Sequence, residues 1–329
     1  MKENFWSKVS KKKPFFVLAP MADVTDMAFR RIIAKYGKPD VMWTEFVSAD
    51  GLCHEEGRAH LLIDLSYTEK ERPIVAQLFT SHPERMREAA KLVAKLGFDG
   101  LDINMGCPDK TIEKQGAGAA LMKTPKIARE VIRAAKEGIK DAGKDIPVSV
   151  KTRIGWAKSE IETWIPELLK ENISALTIHA RTRKEMSLVP ARWEFVRRVV
   201  EIRNEMKSET LIIGNGDVKD LKEAKARAKE TGADGIMIGR GIFGNPWLFA
   251  GKTPNTKDKL KVMVEHVKLF EKLLGKKKNF AIMKKHFKAY VRDFDGAKEL
   301  RVELMEAQNA REVGIIIKRF LAIDNKTLS

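Results

Sequence analysis

Cys107 closes the run Gly100-Leu101-Asp102-Ile103-Asn104-Met105-Gly106-Cys107-Pro108, in which an apolar stretch passes directly into a turn. A thiol just past a strand end, stiffened by Gly106 and Pro108 and set beside the Asn104 amide, can deliver a proton or attack as a nucleophile. The competing reading is a small buried hydrophobe, the usual fate of a free cysteine. Spacing alone does not choose. Lys151 follows Val148-Ser149-Val150, which places an ammonium where an unpaired charge is expensive. It calls for an anionic partner: a carboxylate such as Glu45 or Asp102, or an electron-rich cofactor whose reduction it stabilises. The turns Gly214-Asn215-Gly216-Asp217-Val218 and Gly239-Arg240-Gly241 offer backbone N–H groups to a phosphate, with Arg240 adding a charge-assisted contact. Glycines that merely end strands are the alternative there. His179, after Leu176-Thr177-Ile178, suits either a core histidine or a ligand contact. The other histidines, His54, His60, His82, His266 and His286, show no metal-ligand spacing, and no metal is expected.

The elements that must position these groups are readable from periodicity. From Phe15 to about Phe249 short apolar runs alternate with longer amphipathic ones. Strands are expected over Phe16–Ala19, Val41–Phe46, Ile74–Phe79, Gly100–Asn104, Pro147–Lys151, Ala175–His179, Thr210–Gly214 and Gly235–Gly239, with helices over Pro83–Leu96, Pro125–Asp141, Ile161–Lys170 and Leu221–Thr231. Eight strands with crossovers over this length predict an α/β fold, a (β/α)8 TIM barrel, spanning residues 1–251. A doubly wound open sheet would usually carry GxGxxG after its first strand, where this chain has Ala19-Pro20-Met21-Ala22-Asp23. In a barrel the strand ends converge on one mouth. Those ends are Pro20-Met21-Ala22, Glu45, Gln77, Asn104 with Cys107, Lys151 with Arg153, His179 with Arg181, Asn215 with Asp217, and Gly239 with Arg240.

After Gly251 the period changes, and residues 255–329 form a small all-helical domain with helices over Leu260–Leu274, Phe280–Val291, Ala297–Met305 and Val313–Leu321. The chain of 329 residues carries a formal charge of +17, enough to attract nucleic acid or an acidic membrane surface. Between Lys268 and Arg292 nine basic residues face one acidic, with Phe270, Phe280, Phe287 and Tyr290 among them. Such helices suit a phosphate backbone, the aromatics serving either exposed bases or the small domain's own core. Two distant cysteines exclude a disulfide framework. The first 13 residues lack the apolar core of a signal peptide and no stretch reaches membrane-spanning length, so a cytoplasmic protein with no membrane partner is expected.

These motifs resemble the flavin-dependent tRNA-dihydrouridine synthases, and among them the bacterial B-type. The likeness runs through Leu18–Asp26, Ala76–Phe79, Asp102–Pro108, Gly116–Met122, Val150–Trp156, His179–Arg183, Gly214–Val218 and Gly239–Trp247, and into the tail at Lys285-His286 and Phe294–Arg301. It implies FMN held by Pro20, Met21, Ala22, Gln77, Lys151, His179, Asn215, Gly216, Asp217, Gly239 and Arg240. It implies NADPH as electron donor, tRNA as partner, catalysis by Cys107 as general acid, substrate contacts from Asn104 and Arg181, tRNA binding by the helical domain, and a monomer when bound to tRNA. Two departures stand out: Glu185-Met186-Ser187-Leu188-Val189-Pro190-Ala191-Arg192-Trp193 replaces a stretch that commonly holds Tyr and Gly before Ala-Asp-Trp, and Ala119 replaces a common Ser. Both are expected on the substrate side. An FMN barrel oxidoreductase acting on a free small molecule, of the dihydroorotate dehydrogenase type, would not need the basic tail. A non-catalytic RNA-binding barrel or RNA chaperone would not need Cys107 and Lys151.

Overall fold

The structure, a computed structural model, describes residues 4–327, with side chains described through residue 322. Eight parallel strands run in the order β1-β8-β7-β6-β5-β4-β3-β2: β1 (Phe15–Leu18), β2 (Met42–Ser48), β3 (Ile74–Phe79), β4 (Gly100–Met105), β5 (Val148–Arg153), β6 (Ala175–His179), β7 (Leu211–Asn215) and β8 (Gly235–Ile238). The barrel closes where β1 meets the start of β2, through the bridge of Val17 with Val41 and the bond from the Leu18 amide to the Val41 carbonyl. Every expected strand is present; β5 runs further than anticipated, to Arg153, and so fixes that guanidinium as well as Lys151.

Side chains alternate across each strand, so every second residue points at the barrel axis. The lower interior is apolar: Phe15, Val17, Val41, Trp43, Val75, Ala175, Leu211, Ile213 and Met237 pack with Trp6, which plugs the bottom from the short helix Phe5–Val9. One layer higher the same alternation delivers Gln77, Asp102, Asn104, Ser149, Lys151, His179 and Asn215. In register, Gln77 lies beside Asp102, Asp102 beside Ser149, Asn104 beside Lys151 and His179 beside Asn215. A polar layer on an apolar plug is what positions the site.

The outer helices start where sequence chemistry dictates. Asp26 caps Met27–Tyr36 by accepting the Ala28 and Phe29 amides at 2.9 Å, and Pro83 and Pro125 open their helices at the first turn. After β8 two 3-10 turns, Arg240–Ile242 and Leu248–Ala250, stand in place of a long helix. The chain then enters four helices: Thr256–Leu274, Ile282–Tyr290, Ala297–Glu306 and Ala310–Thr327. Phe270, Phe287 and Tyr290 are fully buried, so they form core and not a base-stacking platform. That core is shared with Met27, Ala28 and Ile32 of the helix after β1, which joins the tail to the barrel through one apolar seam. His266 and His286 enter the seam as neutral rings 4.8 Å apart, and burial pushes His266 down to about 3. Among the described residues no helix is long and apolar enough to cross a membrane.

Candidate functional site

A cavity of about 590 Å³ opens at the carboxyl ends of the strands, within the range of small-molecule and cofactor sites. It brings together Pro20, Met21, Gln77, Asn104, Cys107, Lys151, His179, Arg181, Asn215, Gly216, Asp217, Gly239 and Arg240. Ala22 stands apart: it is exposed and does not line the cavity. Lining residues that the strand-end reading did not single out include Phe46 from β2, Ser187 from the loop after β6, Lys219 after β7 and Arg292 from the helical tail. Phe46 lacked any polar signal, and Arg292 lies far along the chain with no local sign of where the tail folds.

The Cys107 turn is held from below by a one-way chain of hydrogen bonds. The Gly106 and Cys107 amides donate to Asn104 Oδ1 at 3.1 and 2.9 Å, Asn104 Nδ2 donates to Gln77 Oε1 at 3.1 Å, and Gln77 Nε2 donates to Asp102 Oδ2 at 2.7 Å. Backbone amides only donate, so both side-chain amides have one possible orientation. Ser149 Oγ donates to the other Asp102 oxygen at 2.5 Å. Burial pushes this carboxyl up to about 6 against those hydrogen bonds. Asn104 is thus first a turn-former, with one Nδ2 hydrogen left for the cavity. Gly118 packs directly beneath: at φ +60° it occupies the left-handed region, and a Cβ there would sit 2.8 Å from the Cys107 carbonyl oxygen. Arg153 Nε donates to the Gly106 carbonyl at 2.8 Å from above. Burial raises the Cys107 thiol above its ordinary range, so it holds its proton at neutral pH.

Lys151 meets neither expected carboxylate. Its Nζ donates to the neutral Asn215 Oδ1 at 3.3 Å, and among the described residues no carboxylate lies within ion-pairing distance of it. Burial, then the charge of Arg153, pulls it down to about 8, so it stays protonated at pH 7. His179 is held well below its usual range, first by burial and then by Lys151, Arg153, Arg181 and Arg240. Its Nε2 lies 3.2 Å from Arg181 Nη1, which can only donate; the ring is therefore neutral with its proton on Nδ1.

On the other wall the two glycine turns meet. Asp217, itself at φ +54°, accepts from Arg181, from Arg240 Nη2 at 2.9 Å and from the Ala191 amide at 2.9 Å. Burial works against its ionisation, but Arg181 and the Ala191 amide together hold it below the usual carboxylate range. Trp193 Nε1 donates to the Gly216 carbonyl at 3.2 Å, and the indole lies where a Gly214 Cβ would be. The segment 185–193, expected from sequence on the substrate side, ends in Trp193, which buttresses the Gly214–Asp217 turn. Ala119 is fully buried, and its amide donates to the Cys107 carbonyl at 3.0 Å.

Residues 17–326 match the family described as dihydrouridine synthase (Dus). A probable tRNA-dihydrouridine synthase of Staphylococcus aureus (strain COL) is 41% identical over 327 residues, covering 98% of this chain and 97% of that protein. The probable tRNA-dihydrouridine synthase 2 of Bacillus subtilis (strain 168) is 41% identical over 324 residues, 97% of each. The chain belongs to the dihydrouridine synthase family. It is a flavin-dependent oxidoreductase. Among solved structures, histamine dehydrogenase from Rhizobium sp. 4-9 aligns with a TM-score of 0.51 at 14% identity over 77% of this chain and 48% of its own, a likeness of fold.

The residues of this family member fit a flavin. Lys151 offers a half-buried cation that makes no ion pair among the described residues, the Asp102 carboxylate acting on it only at a distance; the neutral His179 adds a polar edge, and a Cβ on Gly239 would meet only Ala19 and Met21 at 3.6 Å, leaving that backbone open toward the cavity. Lys278 of the tail, by contrast, is not a free surface lysine. Its Nζ lies 2.9 Å from Glu45 Oε2 and 2.8 Å from Asp64 Oδ1, while Glu45 Oε1 accepts the Asp23 amide at 2.5 Å. Burial disfavours the ammonium, yet the two carboxylates win and raise it. This triad bolts the tail to β2 itself and, through Asp23 and Asp64, to the segments that follow β1 and β2.

Proposed function

We propose that this enzyme reduces the C5–C6 double bond of uridine in tRNA, using FMN in the barrel mouth, NADPH as donor and Cys107 as general acid. The observation that carries this reading is that a thiol kept protonated opens onto the same cavity as a lysine bonded only to a neutral amide among the described residues and two glycine turns. Bound FMN, once reduced by NADPH, would supply a hydride to C6 of the pyrimidine. Lys151 would stabilise negative charge on that cofactor, and the turns at Gly214–Asp217 and Gly239–Arg240 would take its phosphate through backbone N–H groups and Arg240. Cys107 would give its proton to C5, and water would then reprotonate the thiolate. Hydride and proton together balance the reduction. The remaining Nδ2 hydrogen of Asn104 would meet a uracil carbonyl, and Arg181, buried and held by Val189, His179 and Asp217, would act on the substrate through its charge at the cavity wall. The helical tail, residues 255–329, would hold the tRNA backbone through its exposed lysines, the protein acting in the cytoplasm as a monomer on its RNA.

The test is incubation of the flavin-loaded protein with unmodified tRNA transcript and NADPH, with dihydrouridine measured by mass spectrometry and the flavin released by denaturation and weighed. Product in tRNA, with FMN as the flavin, is expected. No dihydrouridine under turnover with reduced flavin would refute the proposal.

A further inference from the structure

The loop after β6 carries Met186, Leu188 and Val189 on its outer side, exposed by 44%, 84% and 37%. Single exposed apolar side chains are ordinary. Three on one tight loop that cannot fold back onto the protein are not. The loop base is pinned: Arg153 Nη1 donates to the Met186 carbonyl at 3.0 Å, Arg181 Nε to the Val189 carbonyl at 2.5 Å, and the Thr182 amide to Glu185 Oε2 at 2.8 Å. Met186 is held at φ +51°, a conformation a non-glycine residue keeps only when its surroundings over-determine it. Arg153 is also the residue that braces the Gly106 carbonyl, so the loop and the Cys107 turn are fixed to one guanidinium. Ser187, beside Leu188, lines the cavity with Cys107.

We infer that Leu188, supported by Met186 and Val189, is an apolar wedge that fills the gap left in the tRNA stack when the target uridine enters the barrel mouth. The inference rests on the function proposed above. A base can reach a thiol in a barrel mouth only by leaving its neighbours, and the vacated space is apolar on both faces. A rigid loop tip bearing a leucine beside that mouth matches the vacancy. The partner is read as RNA because Lys151, Arg153, Arg181, Lys219, Arg240 and Arg292 line the cavity against the carboxylate of Asp217. A protein partner seeking an apolar patch would have no use for that field.

Leu188→Ser and Leu188→Phe test this in the full flavin-loaded protein. Leu188 contributes nothing to the core, so both variants keep the wild-type Tm and the wild-type rate of flavin reduction by NADPH. Leu188→Ser is expected to lower kcat for dihydrouridine formation at least roughly tenfold while the Kd for tRNA stays within about threefold, because phosphate contacts are untouched. Leu188→Phe, which can still stack, returns kcat to within about threefold of wild type. A wild-type kcat in Leu188→Ser, a loss explained wholly by Kd, or no recovery with Phe would overturn the wedge. So would a wild-type kcat accompanied by loss of self-association, which would assign the loop to contact between two copies. Wild-type protein that forms no dihydrouridine at all would count against the proposed function itself, a result distinguishable from these.

Discussion

Lys151 and Arg153 in the barrel mouth and Lys278 of the helical tail are held in opposite ways. In the mouth Lys151 faces a neutral amide, and among the described residues Arg153 hydrogen-bonds the carbonyls of Gly106, Thr182 and Met186 and no carboxylate. Burial pulls that guanidinium down to about 10. At the tail a largely buried cation, Lys278, is gripped by two carboxylates. A paired buried charge is architecture, because removing either partner strands the other. Unpaired buried charge is costly to keep and marks a place selected for something other than stability. The same distinction separates the exposed lysines of the tail, available to a polyanion, from Lys278, which is not.

The largest break in this contrast should come from Lys151→Met. If the ammonium serves the cofactor and not the fold, the variant keeps a Tm close to wild type, since Lys151 makes no ion pair among the described residues, while dihydrouridine formation falls by roughly 10²-fold or more. A variant that unfolds at lower temperature would mean that Lys151 is structural. Lys278→Met should behave in reverse. It leaves Glu45 and Asp64 without a cation and should cost about 3 kcal/mol, read as a lower denaturant midpoint.

The pH dependence sharpens the comparison, because the two regions respond with opposite sign. Asp102 is pushed up to about 6 in the folded mouth, above its unfolded value, so its ionisation costs stability as pH rises from about 4 to about 6. Asp102→Asn removes that cost and should raise the Tm at pH 7.5 by roughly 2–4 °C, while blurring the orientation of Gln77 and lowering activity. His266, down to about 3 when folded, is stabilising in its neutral form above about 6.5 and loses that contribution as pH falls from there toward 3. Thermal scans of His266→Phe between pH 7 and pH 5 should therefore show a smaller loss than wild type. The smallest effect belongs to the tail surface: neutralising Lys276, Lys277, Lys284 and Lys285 should leave the Tm alone and reduce the salt slope of tRNA binding by about 0.9 for each phosphate that is no longer neutralised. An unchanged slope would place the RNA elsewhere.

Much of the mouth was legible because a period of two carries a strand's last inward residues to one rim, and turn chemistry marks where the strands stop. That is why Gln77, Asn104, Lys151, His179 and Asn215 could be grouped from scattered positions. What stayed hidden depends on long-range placement. Nothing near Lys278 announces a bond to Glu45, 233 residues away. Nothing near Arg292 says that the tail returns to the cavity. The inward alternation names Gln77 and Asp102, but their bond follows from strand order and register, which local pattern does not contain. Ala22 is adjacent to Met21 in sequence, yet one step along a loop is enough to turn it outward.

The central claim is that Cys107 supplies a proton and does not help to hold the cofactor. The direct measurement is bound flavin and dihydrouridine yield in one preparation of Cys107→Ala supplied with tRNA and NADPH. Full flavin occupancy with nearly abolished product is the predicted result; full occupancy with wild-type yield would contradict the acid role outright.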